Sequence, residues 1–193
     1  MPFVLVGKRN IENLSLFCVT SDYRHGARSA TEHLVKQGRK RILFIRGIPN
    51  SYHEEEKLRG YKEILEEENI PFRHDFVIDG NAEQEQAYDK VKDLLVNGVE
   101  FDAVFAGNDL MAFGTINAVK EQGLRVPEDI SVVGYDDIQS AATFQPALST
   151  VRQNKLELGK QASQLLLTLL DEKVQQEAKT IVVDNELIVR ESS

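Results

Sequence analysis

Short apolar runs alternate with segments of helical periodicity along most of the chain. Strand-like runs lie at 3–6, 15–20, 41–45, 76–78, 101–106 and 130–133, and a further β-rich segment spans 180–189. Between these runs, apolar residues recur every three or four positions, which is typical of a helix with one buried face. Strands that alternate with helices in this way predict an α/β fold with a parallel, doubly wound sheet.

Two predicted helices carry the clearest stripes. The first starts after Ser21 or Asp22, either of which can cap it, and ends at Gly38. The second comes late in the chain. Its predicted inner face consists of Leu156, Gly159, Ala162, Leu166 and Leu169.

Polar side chains follow three of the predicted strands. In chain order, the three strand ends are Arg46-Gly47, Gly107-Asn108-Asp109 and Tyr135-Asp136-Asp137. Parallel strands bring their carboxyl ends to one edge of a sheet, and small ligands bind outside that edge. The extended segment 146–153 is predicted to pass the same edge. We therefore expect a site for a polar small molecule, although Asn108 and Asp109 are also typical helix caps and Asp136-Asp137 is compatible with a solvated turn.

Composition and charge exclude several classes of protein. The chain has 193 residues, and its formal net charge of -8 argues against a nucleic-acid surface on these residues, because phosphate binding needs a basic field. Cys18 is the single cysteine, so no disulfide can form within the chain, which suits a reducing, cytoplasmic setting. No apolar run is long enough for a membrane span, and no signal-peptide pattern opens the chain. Residues 3–7 read as a strand in mid-fold, which suggests truncation at the amino terminus.

Catalytic, cofactor and metal sites are not indicated. His25, His33, His53 and His74 lack the spacing of metal ligands, and the phosphate-loop, dinucleotide and nucleophile-elbow motifs are absent from the sequence. Adjacent carboxylates can serve acid–base or Mg²⁺ chemistry, but no nucleophile or base partner accompanies them. Glu54-Glu55-Glu56 is interpreted as the solvated start of a helix. We therefore predict a binding protein rather than an enzyme, with no cofactor and no metal.

Five segments, in order along nearly the whole chain, resemble the lac repressor (LacI/GalR) family of transcriptional regulators. They are residues 31–42, 105–114 (FAGNDLMAFG), 126–137 (VPEDISVVGYDD), 146–153 and 187–192. The opening PFVLVGK is similar to the maltose-type and catabolite-control members.

The resemblance implies a core of two similar lobes, like a periplasmic sugar-binding protein, joined by three chain crossings. On this pattern, residues 22–151 and 184–193 form a near-complete carboxy-terminal effector-binding lobe. Residues 1–21 and 152–183 are then a remnant of the amino-terminal lobe, and the helix-turn-helix domain is absent from this chain. The implied hinge residues are Thr20, Ser21, Asp22, Val151 and Arg152.

The resemblance also implies a set of ligand contacts. Family contacts fall on Asn108, Asp136 and Gln153, whose donors and acceptors suit a polyhydroxylated effector such as a sugar or sugar phosphate. Lys57 stands where the family often has an arginine, and it offers a point donor instead of a planar fork. Gly7 stands where many members have an aspartate.

The resemblance also implies that the protein forms a homodimer. The implied interface residues are Phe113, Ile116, Asn117, Lys120 and Phe144. Exposed Phe113 and Phe144 would suit such an interface, although a core position for Phe113 is equally compatible with the sequence. The resemblance thus implies the effector-binding and dimerisation core of a repressor that reaches operator DNA only through the missing domain and binds no membrane. The alternative is a solute-binding protein of a sugar uptake system.

Overall fold

The computed structural model describes residues 2–9, 16–171 and 177–193, and this part of the chain forms two sheets. Its strands are β1 (Leu5–Val6), β2 (Cys18–Ser21), β3 (Ile42–Arg46), β4 (Val77–Asp79), β5 (Ala103–Ala106), β6 (Ser131–Asp136), β7 (Ser149–Gln153), β8 (Thr180–Val183) and β9 (Asn185–Ile188). Its helices are α1 (Tyr23–Lys36), α2 (Tyr52–Glu67), α3 (Gln84–Val96), α4 (Asp109–Glu121) and α5 (Lys155–Leu170). The predicted strand over 15–20 is β2, and residue 15 lies outside the described residues.

The larger sheet has the strand order β4-β3-β5-β6-β7-β9. Its neighbouring strands run parallel except β9, which is antiparallel to β7. The smaller sheet, β1-β2-β8, is parallel throughout. The predicted α/β fold with a parallel, doubly wound sheet is therefore confirmed.

The larger sheet is buried on both faces at its central strands β3 and β5, because these strands are apolar at almost every position. Ile42 and Phe44 of β3 pack with α1 and α2 on one face, whereas Leu43 and Ile45 pack with α3 and α4 on the other. Successive side chains of a strand point to opposite faces, so a continuous apolar run feeds two cores. Helices packed on both faces therefore fix the position of the carboxyl edge of this sheet.

The first helix begins and ends where the sequence predicts. The Asp22 carboxylate accepts a hydrogen bond from the His25 amide at 2.9 Å, which satisfies one free donor of the first turn. Gly38 has φ +86° just beyond the last turn, a conformation that glycine adopts without steric cost.

The late helix α5 buries a different face from the predicted one. Leu158 and Leu165 are its buried residues, and Ala162 and Leu169 pack beside them. Leu156 is 85% exposed, so its predicted inner position is wrong. The apolar residues of α5 cover more than one face, and contact with the small sheet selects the stripe 158–162–165–169.

The chain passes between the two sheets three times. It does so from β2 into α1, from β7 into α5, and from β8 into β9. The predicted hinge residues Thr20, Ser21 and Asp22 lie at the first crossing, and Val151 and Arg152 precede the second. The division into two lobes stays a prediction that these crossings support. Within the described ranges, no helix has the length and apolarity needed to cross a lipid bilayer.

Candidate functional site

A cavity of about 240 Å³ opens at the carboxyl edge of the larger sheet. Asn108, Asp136, Gln153 and Lys57 all contribute to its lining. The sequence therefore identified four residues that the fold brings together. The other lining residues are Tyr23, Gly47, Ile48, His53, Glu54, Ala82 and Gly107.

Asp136 ends β6 in an unusual backbone conformation. Its φ is +108° and that of Asp137 is +47°, values that residues with a side chain adopt at a cost in conformational energy. The Asp136 Oδ1 accepts a hydrogen bond from Gln153 Nε2 at 2.5 Å. Burial raises the pKa of the Asp136 carboxyl, and Lys57 and Gln153 oppose that rise. A carboxylate so placed is a strong acceptor for ligand hydroxyl groups.

Asp137 has a structural environment instead. It accepts hydrogen bonds from Arg152 and Arg190, each at 2.7 Å. Burial alone would raise the pKa of Asp137, but these two arginines hold it below its ordinary value. Asp137 thus ties the strand end to β7 and to the segment after β9.

Asn108 caps α4 while it lines the cavity. Its Oδ1 accepts from the Met111 amide at 2.8 Å, and its Nδ2 donates to the Ala82 carbonyl at 3.1 Å. The capping alternative is therefore realised by Asn108. The two contacts fix the orientation of the amide and leave one Nδ2 hydrogen for another acceptor.

Asp109 lies beneath the cavity and is only 1% exposed. It accepts from the Ile138 amide at 2.8 Å and from the Thr150 hydroxyl at 2.5 Å. Burial raises the pKa of Asp109 to about 6. Because it joins α4, β7 and the turn after Asp137, this carboxyl holds the strained end of β6 from below.

Gln153 connects the cavity to the chain crossings. Its Oε1 accepts from the Ser21 hydroxyl at 2.9 Å, while its Nε2 donates to Asp136. At the third crossing, Asn185 Nδ2 donates to the Asp22 carbonyl at 2.9 Å and to the Tyr135 hydroxyl at 2.7 Å. Side chains therefore join all three crossings to one another and to β6.

Glu54 corrects the interpretation of the triple glutamate. It is 2% exposed, so the prediction that this residue belongs to a solvated helix start is wrong. Its carboxylate accepts from the Gly47 amide and from Lys57 Nζ, each at 2.8 Å. Glu54 turns inward because the ends of β3 and α2 supply both donors, a tertiary arrangement that consecutive glutamates do not reveal.

Tyr23 and His53 form an aromatic wall that sequence analysis did not identify. Their ring centroids lie 5.7 Å apart. Burial, and then the charge of Lys57, lower the pKa of His53, so that its imidazole is neutral near pH 7. Both rings also line an adjoining cavity of about 530 Å³, which Lys8 and Arg9 border.

The implied dimer residues are unequally exposed. Phe113 is 4% exposed and stacks on Phe144 at 4.2 Å between ring centroids, and Ile116 is fully buried. Exposure of Phe113 and Ile116 is therefore excluded, because α4 packs against both α3 and the sheet. Asn117 and Lys120 are exposed and Phe144 is half-buried. A dimer interface on the α4 face therefore remains a prediction, and it now rests on Asn117, Lys120 and Phe144.

Comparison with known proteins places the chain in a family. A family described as "Periplasmic binding protein-like domain" matches residues 31–193. The HTH-type transcriptional repressor PurR of Haemophilus influenzae is 40% identical over 170 residues, which is 86% of this chain and 50% of that protein. The chain thus spans about half the length of the curated relatives it matches.

Solved structures agree with this placement. A complex of the transcriptional regulator CelR with cellobiose superposes with a TM-score of 0.92 at 31% identity, over 100% of this chain and 59% of that one. A sugar-binding LacI-family regulator from Escherichia coli, in complex with phosphate, gives 0.88 at 32% identity, over 100% of this chain and 68% of that one. The chain therefore belongs to the periplasmic-binding-protein-like domains and, among them, to the LacI family of transcriptional regulators.

Proposed function

We propose that this chain is the effector-binding and dimerisation core of a DNA-binding transcriptional repressor that acts in the cytoplasm. The observation that carries the proposal is the convergence of Asn108, Asp136 and Gln153 on one cavity at the carboxyl edge of the larger sheet. Sites of this kind in α/β proteins bind small molecules. We propose that the cavity at this edge binds a ligand and does not catalyse a reaction.

The chemistry of the cavity favours a sugar or sugar phosphate. Asp136 supplies a carboxylate acceptor, and the amides of Asn108 and Gln153 supply both donors and acceptors, which suits adjacent hydroxyl groups. The Tyr23 and His53 rings offer an aromatic wall beside these groups. A structural neighbour binds cellobiose, and another is described as a sugar-binding regulator, which supports the same ligand class.

Repression is favoured over solute uptake by the matched relatives, because PurR is a repressor of the helix-turn-helix type. The net charge of -8 leaves these residues without a basic field for DNA. We therefore assign operator contact to a helix-turn-helix domain of the intact protein. Effector binding would shift the three chain crossings and, through a dimer formed at Asn117, Lys120 and Phe144, change operator affinity.

A thermal-shift screen of monosaccharides, disaccharides and their phosphates on the intact protein identifies the effector, since a ligand of the folded state raises the unfolding midpoint. Asp136→Asn should then weaken binding of the selected sugar about 10- to 100-fold, the usual worth of a charged hydrogen bond. Operator binding without effector should be unchanged. Asp129→Asn, on an exposed Arg125 pair, is the matched control.

Two outcomes would contradict the proposal. Equal loss of folding and operator binding in the Asp136 variant would make that residue structural. A secretory signal in the parent gene would favour the uptake alternative.

A further inference from the structure

Glu54 and Lys57 form a buried ion pair on α2, at the floor of the cavity. Their side chains are only 3% and 4% exposed, and Lys57 Nζ lies 2.8 Å from Glu54 Oε1. Desolvation of two charges is costly, and such pairs persist where further hydrogen bonds complete the coordination of both groups. This completion is present here, because Glu54 accepts the Gly47 amide and Lys57 donates to the Gly107 carbonyl at 2.7 Å.

The neighbouring backbone is shaped to admit the pair. A Cβ atom on Gly107 would lie 2.8 Å from Glu54 Oε2, and one on Gly47 would lie 3.1 Å from Glu54 Oε1. Glycine at these two positions therefore leaves the space that the carboxylate fills. The pair thereby joins the ends of β3 and β5.

Besides these two partners, the Lys57 ammonium contacts Tyr135 of β6. Its Nζ lies 4.3 Å from the centroid of the Tyr135 ring, within the range of a cation–π contact. An ammonium group has three hydrogens, and Glu54 and Gly107 take two of them. With the aromatic face beside it and almost no exposed surface, Lys57 has little capacity left for an effector.

We propose that Glu54 and Lys57 act as one positioning unit, which fixes the strand ends that carry Asn108 and Asp136, and that Lys57 does not donate to the effector directly. The unit acts on Asn108 through the Gly107 carbonyl and on Asp136 through Tyr135 and through charge. The assignment rests on the proposed function only in naming Asn108 and Asp136 as effector contacts.

A double-mutant cycle tests whether the two residues act as a unit. Glu54→Gln and Lys57→Met should each lower the urea midpoint of the protein, because each leaves a buried charge without its partner. The Glu54→Gln/Lys57→Met double variant should recover most of the loss. A double variant whose loss equals the sum of the two single losses would overturn the proposal.

Carbon-detected NMR titration of the Asp136 carboxyl tests positioning without any effector. The charged or titratable groups that interact with it are Lys57, Lys155, Glu54, Tyr23, His53, Asp109 and Tyr135. The Asp136 midpoint should rise by about 1 pH unit in Lys57→Met and remain raised in the double variant, because a nearby cation has been removed. The Gly107 and Asn108 amide resonances should move with it.

The matched control is Lys160→Met, which removes an exposed lysine paired with Glu157 on α5 and should leave both readouts unchanged. An unchanged Asp136 midpoint together with unchanged amide resonances in the folded double variant would overturn the positioning role. Since no effector enters this experiment, its failure is distinct from failure of the proposed function, which the sugar screen tests.

Discussion

The two sheets of the molecule differ in how completely they are covered. The larger sheet has helices on both faces and two extensive buried clusters. In the described residues, the buried cluster of the smaller sheet comprises only Val19, Leu158, Leu165 and Val183. Leu156, Leu167, Leu170 and Val182 remain exposed on the same half. The side chains that line the candidate effector cavity therefore belong mostly to the half of the molecule with the more complete core.

Buried charge follows the same division. Glu54, Lys57 and Asp109 are the buried charged residues of the described ranges, and all three belong to helices of the larger sheet. A charge is tolerated away from water only where fixed hydrogen-bond partners surround it. The larger half supplies such partners at its strand ends, and the buried charged residues lie there for that reason.

Truncation of a buried leucine should show the largest difference in stability between the two halves. Leu34→Ala removes a fully buried side chain between α1 and the larger sheet and should lower the free energy of unfolding by about 3–5 kcal/mol. Leu165→Ala, in the small cluster, should cost about 1–2 kcal/mol less because its surroundings are more open. Urea denaturation measures both, and equal losses would refute the comparison.

The next largest effect is a pH dependence that originates in the larger half. The pKa of Asp109 is about 6 against an ordinary 3.8, so the native state favours its protonated form. The resulting stabilisation is complete below pH 3.8 and is lost as pH rises through 6, a change of about 3 kcal/mol. Asp136 adds a slope of the same sign because burial also raises its pKa.

Asp109→Asn should reduce this slope when the free energy of unfolding is measured by urea titration between pH 4 and pH 7. Leu167→Asn, at an exposed position of α5 on the smaller half, adds and removes no titratable group, so it serves as the control and should retain the wild-type slope. If both variants keep that slope, Asp109 is not its source.

Glycine substitutions within helices give the smallest effect and should differ in sign between the halves. A Cβ on Gly60 of α2 would lie 2.3 Å from the Arg24 carbonyl of α1, so Gly60→Ala should cost about 1–3 kcal/mol. At Gly159 of α5 nothing lies within 4 Å, and Gly159→Ala should stabilise by about 0.5–1 kcal/mol through helix propensity. Thermal unfolding of both variants decides the point, and two changes of the same sign would contradict it.

The strand ends were predictable because a parallel sheet gathers them at one edge. Asn108, Asp136 and Gln153 follow from that rule together with the family resemblance, and the structure places all three at one cavity. Glu54 escaped prediction because its partners are a strand-end amide and a lysine one helical turn away, which only the tertiary fold brings together.

Burial on helices was harder to predict. Ile116 lies on α4, whose contacts with both α3 and the sheet cover most of its surface, so helical period alone does not identify an outer face. On α5 the reverse holds. Leu156 is apolar yet exposed, because the small sheet contacts only one stripe of that helix.

The hydrogen bonds among the three chain crossings have a mechanical consequence. Ser21 is tied to Gln153, and Asn185 is tied to the Asp22 carbonyl, so no crossing can be displaced without stretching a bond to another. We therefore expect the three connections to shift together rather than independently. Two fluorophores, one on each sheet, would then report relaxation with one time constant.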